Sequence, residues 1–357
     1  MIPVLPNFVN CMPPYLGRFQ AGRTRAAGCI NVTVGTRRFM LLPDLASLEA
    51  AAQRVYQVMP PTPQICWPLL CARSGAEVWV KHENHTPVGA FKIRGGIIYM
   101  DELARREARI PGVIAATRGN HGQSVAFATA RAGLRAVIVV PHGNSREKNA
   151  AMRALGAELV EYGRDFQEAH EHAARLAESQ GLHMVRSFAP ALVTGVGTYT
   201  LELFRAVAGL DAVYVPIGMG SGICGTIAVR DALGLRTEVI GVVAAGAPAY
   251  ALSFAAGRPV ATDTADTIAD GVACRVPDTE ALEVIRCGAA RIVTVTDDEI
   301  RAAMRHLFTD THNIAEGAGA TALAALLQEA NTMRGRRVAV VLSGGNVDRE
   351  VFAPVLG

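Results

Sequence analysis

Residues 212–233 read AVYVPIGMGSGICGTIAVRDAL and join an apolar segment, a glycine-rich loop and a second apolar segment. The β-branched and aromatic residues of 212–217 favour a strand, and 222–233 has the length of a helix. The same order of short strand, turn and helix recurs along the chain after residue 43. This alternation predicts an α/β protein with buried, largely parallel sheets.

The other elements are predicted from the same patterns. We expect further strands at 76–81, 112–117, 135–140, 158–161, 238–243, 291–295 and 337–342. We expect further helices at 44–58, 64–72, 93–108, 120–132, 145–155, 165–180, 197–208, 297–308 and 317–330. Thr296 followed by Glu299 also predicts a capping box for the helix that begins at 297.

Composition excludes several classes of protein. Half of the 357 residues are hydrophobic and 19% are charged, which excludes a largely disordered chain. The net charge of +3, without a dense basic stretch, argues against a nucleic-acid binder. Seven cysteines without a CxxC pair indicate thiols in a reducing cytosol. We therefore expect a cytoplasmic protein without a membrane span.

The first 43 residues contain five arginines and no acidic residue. We expect residues 1–39 to be a poorly ordered extension or the product of a misassigned start, with translation beginning at Met40. A targeting segment is the less favoured interpretation because this stretch lacks serine.

The segment 89–95, GAFKIRG, places one of only three lysines at a predicted helix start. The apolar neighbours Ala90, Phe91 and Ile93 can lower the pKa of the Lys92 amine, as a Schiff-base lysine requires. A solvated surface lysine is the alternative interpretation.

The segment 117–123, TRGNHGQ, lies between a predicted strand and a predicted helix. Backbone N–H groups at a helix N-terminus attract anions, and Asn120 adds side-chain donors for a hydroxyl or a carboxylate. A capping turn without a ligand is the alternative.

The loop at 216–223, PIGMGSGI, lets the backbone approach a phosphate at a helix N-terminus. The dinucleotide loop of a nicotinamide-dependent dehydrogenase is the rival interpretation. However, Ile223 occupies the position of its third glycine, and Glu238 begins the next strand instead of ending it. A single phosphate is therefore favoured. The segment LSGGN at 342–346 follows the last predicted strand, at the sheet edge where ligands bind. Taken alone, Ser343 is better interpreted as a strand-end hydroxyl without a ligand.

In this order, FKxRG, GNHGQ, the glycine loop and SGGN resemble the fold-type II pyridoxal-phosphate (PLP) enzymes, and most of all the serine/threonine dehydratase (threonine ammonia-lyase) family. The similarity runs from about residue 60 to 350 and includes DTIADG at 266–271 and NIAEGAGA at 313–320. It implies a tryptophan synthase β-like fold with two open, twisted, mostly parallel sheets and flanking helices.

The resemblance also implies a domain organisation. A large PLP-binding domain would comprise residues 40–111 and 191–357, and a small, mobile, substrate-closing domain would comprise 112–190. Since only 14 residues follow Ser343, we expect no C-terminal regulatory domain. A homodimer or homotetramer is implied.

The family's motifs imply a role for each site residue. Lys92 would be the catalytic residue and would bind PLP as a Schiff base, with Phe91 beside the cofactor. Asn120 would hydrogen-bond the ring hydroxyl, and Ser343 would contact the pyridine nitrogen. The phosphate would be bound by Gly218, Met219, Gly220, Ser221 and Gly222. The substrate would be bound by Thr117, Arg118, Gly119, Asn120 and His121.

The implied activity is that of a PLP-dependent lyase converting L-threonine or L-serine to a 2-oxo acid and ammonia by β-elimination of water. The alternatives are dehydration of 3-hydroxyaspartate and a related lyase reaction of compatible-solute catabolism. Racemisation is less favoured because racemases of the family carry serine where Arg118 stands. A non-catalytic amino-acid-binding protein is disfavoured by the intact Lys92.

Two positions depart from the family pattern. Arg118 would either point to solvent or read a second substrate carboxylate, as in 3-hydroxyaspartate. Many relatives bind a divalent cation through acids near residue 240, whereas residues 242–249 contain no carboxylate. We therefore expect no metal site there.

Overall fold

A computed structural model describes residues 42–107 and 110–357, so the predicted extension at 1–39 lies outside the described residues. The strands are β1 (Gln64–Cys66), β2 (Glu77–His82), β3 (Val113–Ala116), β4 (Ala136–Val140), β5 (Glu158–Glu161), β6 (His183–Met184), β7 (Ala212–Pro216), β8 (Glu238–Ala244), β9 (Arg291–Val295) and β10 (Arg337–Leu342). The helices are α1 (Leu45–Tyr56), α2 (Pro68–Ser74), α3 (Lys92–Arg106), α4 (Asn120–Arg131), α5 (Arg146–Ala154), α6 (Phe166–Gln180), α7 (Pro190–Ala206), α8 (Ser221–Ala232), α9 (Ala249–Ala256), α10 (Thr279–Gly288), α11 (Asp297–Thr311), α12 (Gly317–Gln328), α13 (Ala330–Met333) and α14 (Arg349–Leu356).

The strands form two sheets. The larger has the order β1-β2-β10-β7-β8-β9, in which every neighbouring pair is parallel except β1 and β2. The smaller has the order β5-β4-β3-β6 and is parallel throughout. Every residue of β3 and β4 is buried and apolar, as expected for parallel strands with covered faces. The predicted α/β fold with two mostly parallel sheets is confirmed. The predicted division into two domains stays a prediction.

Helix packing brings the start of α3 against the interior. Helix α7 is buried along most of its length, and a Cβ at its Gly195 would lie only 2.3 Å from the carbonyl oxygen of Arg94 in α3. Glycine is required there because the two helix backbones approach so closely. Arg94 is fully buried and hydrogen-bonds Glu83 and Glu202. These contacts anchor the first turn of α3, where Lys92 lies.

Several elements differ from the predictions. Residues 64–72, predicted as one helix, form β1 and the start of α2, because β1 pairs with β2 and Pro68 fits the first turn of a helix. The helix predicted at 197–208 begins at Pro190. The predictions omit β6, α9, α10 and α14. The capping box is confirmed, since the Thr296 hydroxyl accepts from the Glu299 N–H and the Glu299 carboxylate accepts from the Thr296 N–H.

Candidate active site

A cavity opens where four helices begin. Helices α3, α4, α8 and α12 start there, at Lys92, Asn120, Ser221 and Gly317, so their N-terminal N–H groups and positive dipole ends converge. Its lining consists of Phe91, Lys92, Asn120, Pro216, Gly218, Met219, Gly220, Ser221, Gly222, Gly271, Val272, Glu316, Ala318 and Ser343. All nine residues predicted to bind the cofactor are in this set. The convergence favours an anionic ligand.

Lys92 differs from Lys81 and Lys148 in its charge partners. No carboxylate of the described residues lies within 4 Å of the Lys92 amine. Lys81 is fully buried in an ion pair with Glu202 (2.6 Å), and Lys148 pairs with Glu316 (3.1 Å). Burial lowers the pKa of Lys92 to about 8, and the more distant charge of Glu316 opposes that fall. Because burial outweighs the charge of Glu316, the Lys92 amine is partly neutral near pH 8.

Backbone contacts hold Lys92 in place. The Phe91 N–H donates to the carbonyl oxygen of Ser343 (3.0 Å), and the Ser124 hydroxyl donates to the carbonyl oxygen of Lys92 (2.6 Å). The Lys92 Nζ lies 4.9 Å from the centre of the Phe91 ring. These contacts join the start of α3 to the end of β10 and to α4.

The glycine loop presents unpaired backbone donors. Helix α8 has no side-chain cap, and its first intrahelical bond is donated by Cys224 to Gly220 (3.0 Å). The N–H groups of residues 221–223 therefore lack partners within the helix. Gly220 has φ +100°, and a Cβ at Gly218 would lie 2.2 Å from the carbonyl oxygen of Gly271. Both positions require glycine, so the loop keeps its backbone open to an anion.

The turn at 117–123 is organised by side chains. The Thr117 hydroxyl accepts from the N–H groups of Gly119 (2.9 Å) and Gly122 (3.2 Å). Asn120 donates to Glu316 Oε1 (2.5 Å) and accepts from the amide of Asn346 (2.9 Å). Asn346, the last residue of LSGGN, thus fixes the orientation of Asn120. Its position in the motif was noted from sequence, but this role was not.

His121 is buried, and its Nε2 has no hydrogen-bond partner among the described residues. Burial and the nearby Lys92 lower the pKa of His121 to about 3, so its ring is neutral at physiological pH. Thr117, Arg118, Gly119 and His121 lie in the turn beside Asn120 but do not line the cavity described above.

Arg118 forms an ion pair that sequence reasoning did not identify. Its Nη2 lies 2.9 Å from Asp270 Oδ1, and the two side chains are 38% and 29% exposed. The guanidinium is therefore neither free in solvent nor an unpaired receptor for substrate.

Three charged residues complete the surroundings of the cavity. Glu316 and Lys148 are almost fully buried, and Lys148 also lies 3.9 Å from Asp270. From the sequence, Glu316 and Asp270 are only members of the matching motifs NIAEGAGA and DTIADG, and Lys148 has no predicted role. A lone acid in the small-residue run NIAEGAGA, and a lysine in a chain that has only three, were the available signals.

The described residues, 42–107 and 110–357, contain neither a metal-binding cluster nor a membrane-spanning helix. No group of three or more His, Cys, Asp and Glu side chains there is arranged to hold a metal ion. Within the same ranges, each helix is too short or too polar to cross a bilayer.

Comparison with known proteins gives consistent matches. The profile of the pyridoxal-phosphate dependent enzymes matches residues 55–344. The L-threonine ammonia-lyase of Thermotoga maritima is 36% identical over 276 residues, which cover 77% of this chain and 68% of that protein. The biosynthetic L-threonine dehydratase of Escherichia coli is 36% identical over 297 residues, which cover 82% of this chain but only 58% of that protein.

Solved structures share the fold. The processed form of threonine deaminase isoform 2 from Solanum lycopersicum superposes with a TM-score of 0.80 at 32% identity, covering 91% of this chain and 98% of that one. Maize serine racemase superposes with a TM-score of 0.82 at 26% identity, covering 88% and 97%.

Proposed function

The chain belongs to the pyridoxal-phosphate-dependent enzyme family, and from this premise we propose that it is an ammonia-lyase acting on L-threonine or L-serine. It removes water across Cα and Cβ, and the product hydrolyses to a 2-oxo acid and ammonia. The observation that carries the proposal is a buried lysine with a lowered pKa, close to an uncapped glycine loop. Relatives named for threonine deamination supply the substrate class.

The cavity residues fit PLP on three counts. The unpaired N–H groups at the start of α8 suit a phosphate, and a Cβ at Gly218 would lie 2.2 Å from the carbonyl oxygen of Gly271 on the facing segment. Lys92 supplies an amine that is partly neutral near pH 8. Ser343 lies buried at the end of β10 on the same cavity wall. When bound, PLP withdraws electrons from Cα of an attached amino acid, which weakens the Cα–H bond.

Lys92 has two tasks in this proposal. Its neutral amine would hold the cofactor at the aldehyde group, and the same amine, when free, would accept the Cα proton of the substrate as a general base. A pKa of about 8 suits both tasks, because a fully protonated amine can do neither.

The turn at 117–121 orients the substrate in this proposal. The start of α4 offers backbone N–H groups for the substrate carboxylate, and Asn120 is held in one orientation by Asn346 and Glu316. His121, buried and neutral, belongs to the same turn. The substrate's Cα is thereby presented to Lys92.

Ser343 favours elimination over transamination. A hydroxyl cannot keep a pyridine nitrogen protonated as a carboxylate does, so Ser343 leaves the cofactor a weaker electron sink. Loss of the β-hydroxyl together with the Cα proton suits such a site. Racemisation lacks support, because Arg118 stands where racemases have serine and cannot titrate usefully.

A substrate panel tests the proposal. PLP-loaded enzyme is incubated with L-threonine, L-serine, L-threo-3-hydroxyaspartate and L-alanine, and ammonia and 2-oxo acid are measured. We expect equal amounts of both products from threonine or serine, and none from alanine or from the Lys92→Ala variant. Enzyme that carries PLP yet releases no ammonia from threonine or serine would contradict the proposal.

Assembly, location and domain organisation are part of the same proposal. We infer a cytoplasmic homodimer or homotetramer, supported by the resemblance to the fold-type II enzymes. The small domain at 112–190 is proposed to close over the substrate. Light scattering after size exclusion tests the assembly, and a mass of one chain would contradict it.

A further inference from the structure

Arg118 and Asp270 meet at the edge of the cavity. Arg118 follows β3, and Asp270 begins the short helix whose next two residues, Gly271 and Val272, line the cavity wall. Their 2.9 Å ion pair is partly exposed, so both charges are within reach of a ligand that enters from solvent.

The charges around this edge are balanced. Lys148 Nζ lies 3.9 Å from Asp270 and 3.1 Å from Glu316, so two cations face two carboxylates. The sum of the four charges is zero. A substrate with an uncharged side chain leaves the balance of these four charges unchanged. A substrate with a carboxylate in its side chain has to compete with Asp270 for Arg118.

The accessible end of the Arg118 guanidinium is already in use. Its Nη2 pairs with Asp270, while its Nε is buried and has no hydrogen-bond partner among the described residues. Since a guanidinium binds carboxylates through its charge and its terminal donors, an acidic substrate side chain can bind Arg118 only if Asp270 does not already neutralise it.

We propose that Asp270, by neutralising Arg118, sets the preference of the enzyme for hydroxyamino acids with an uncharged side chain. Asp270 is thus a specificity-determining residue that acts through Arg118. The inference rests on the proposed lyase function, and it assigns the substrate class within that function.

The test is a double-mutant cycle with four enzymes: wild type, Asp270→Asn, Arg118→Ala and the double variant. Each is loaded with PLP, and kcat/KM is measured for L-threo-3-hydroxyaspartate and for L-threonine. Dissociation constants for both compounds are read from the cofactor absorbance. The control is Asp298→Asn on α11, which breaks the exposed 2.9 Å pair with Arg301 away from the cavity.

The quantity compared between the enzymes is the ratio of kcat/KM for L-threo-3-hydroxyaspartate to kcat/KM for L-threonine. Asp270→Asn leaves an unopposed cation and raises the ratio about tenfold, whereas Arg118→Ala leaves an unopposed anion and lowers it by a similar factor. The double variant returns to within about threefold of wild type, because it removes a neutral pair. The control does not change the ratio.

An unchanged or lower ratio in Asp270→Asn overturns the inference. If that variant does not fold, the comparison moves to Arg118→Ala and the double variant, where the added Asp270→Asn change has to restore the ratio. Failure to restore it likewise overturns the inference. Wild-type enzyme that acts on neither compound and also fails to release ammonia from L-serine contradicts the lyase proposal instead, and the dissociation constants then still test the role of Asp270.

Discussion

Replacing Glu316 by Gln should lower the pKa of the Lys92 amine, so that a larger fraction of the amine is neutral at pH 7. Burial has already lowered the pKa of Lys92 from 10.5 to about 8, and the Glu316 carboxylate is the group that opposes this fall. Glutamine keeps an oxygen to accept from Asn120 but removes the negative charge. It also removes the carboxylate that lies 3.1 Å from the Lys148 amine.

The size of the effect follows from the fraction of neutral amine. At pH 7 a lysine of ordinary pKa has about one neutral amine in 3,000, whereas a pKa of about 8 leaves about one in ten. Loss of a nearby opposite charge lowers a lysine pKa further, here by about one pH unit. About half of the amines would then be neutral at pH 7, so PLP attachment should become about fivefold faster.

The assay is stopped-flow absorbance of PLP added to the apoenzyme between pH 6 and about 9.5, a window that brackets the lowered lysine pKa. The wild-type rate should rise with pH and level off above about 8, and the Glu316→Gln profile should reach its plateau at lower pH. Borohydride trapping and peptide mass spectrometry confirm attachment at Lys92. Glu171→Gln, on the exposed side of α6, is the control. A Glu316→Gln profile that stays in place or moves to higher pH would refute the reasoning.

Three further predictions follow from the site. Lys92→Ala should abolish the absorbance of lysine-bound PLP and lower kcat by at least about a thousandfold. Turnover at the wild-type rate would show that Lys92 is not the general base. Gly220→Ala, at φ +100° and 2.6 Å from the Ala281 side chain, should weaken PLP binding at least about fivefold in a fluorescence titration. Gly143→Ala, at φ +73° in open space, should leave that affinity unchanged, and equal losses in both would contradict the cradle. Adding Mg²⁺ or Ca²⁺ to chelator-treated enzyme should change activity less than about twofold, since 242–249 lacks carboxylates; strong activation would reveal a missed site.

The fold class was predictable because its signal is local. Apolar runs such as 136–140 and 212–216 become buried parallel strands, and most helices lie within a few residues of their predicted bounds. The error at 64–72 has a non-local cause, since β1 exists only through its antiparallel pairing with β2. The missed helix α9 has no charged residue in its first or last turn, so neither of its ends is marked in the sequence by charge.

By itself, the sequence determined the order of the motifs and hence nine of the fourteen residues that line the cavity, because each motif is a short segment whose glycines, turn and helix start are encoded by neighbours. Only the tertiary structure decided the charge partners. Asn120 meets Glu316 across 196 positions. Arg118 follows β3 of the smaller sheet, and it meets Asp270, which lies between β8 and β9 of the larger sheet. An ion pair depends on distance and burial in the folded chain, and neither quantity can be read from spacing along the sequence.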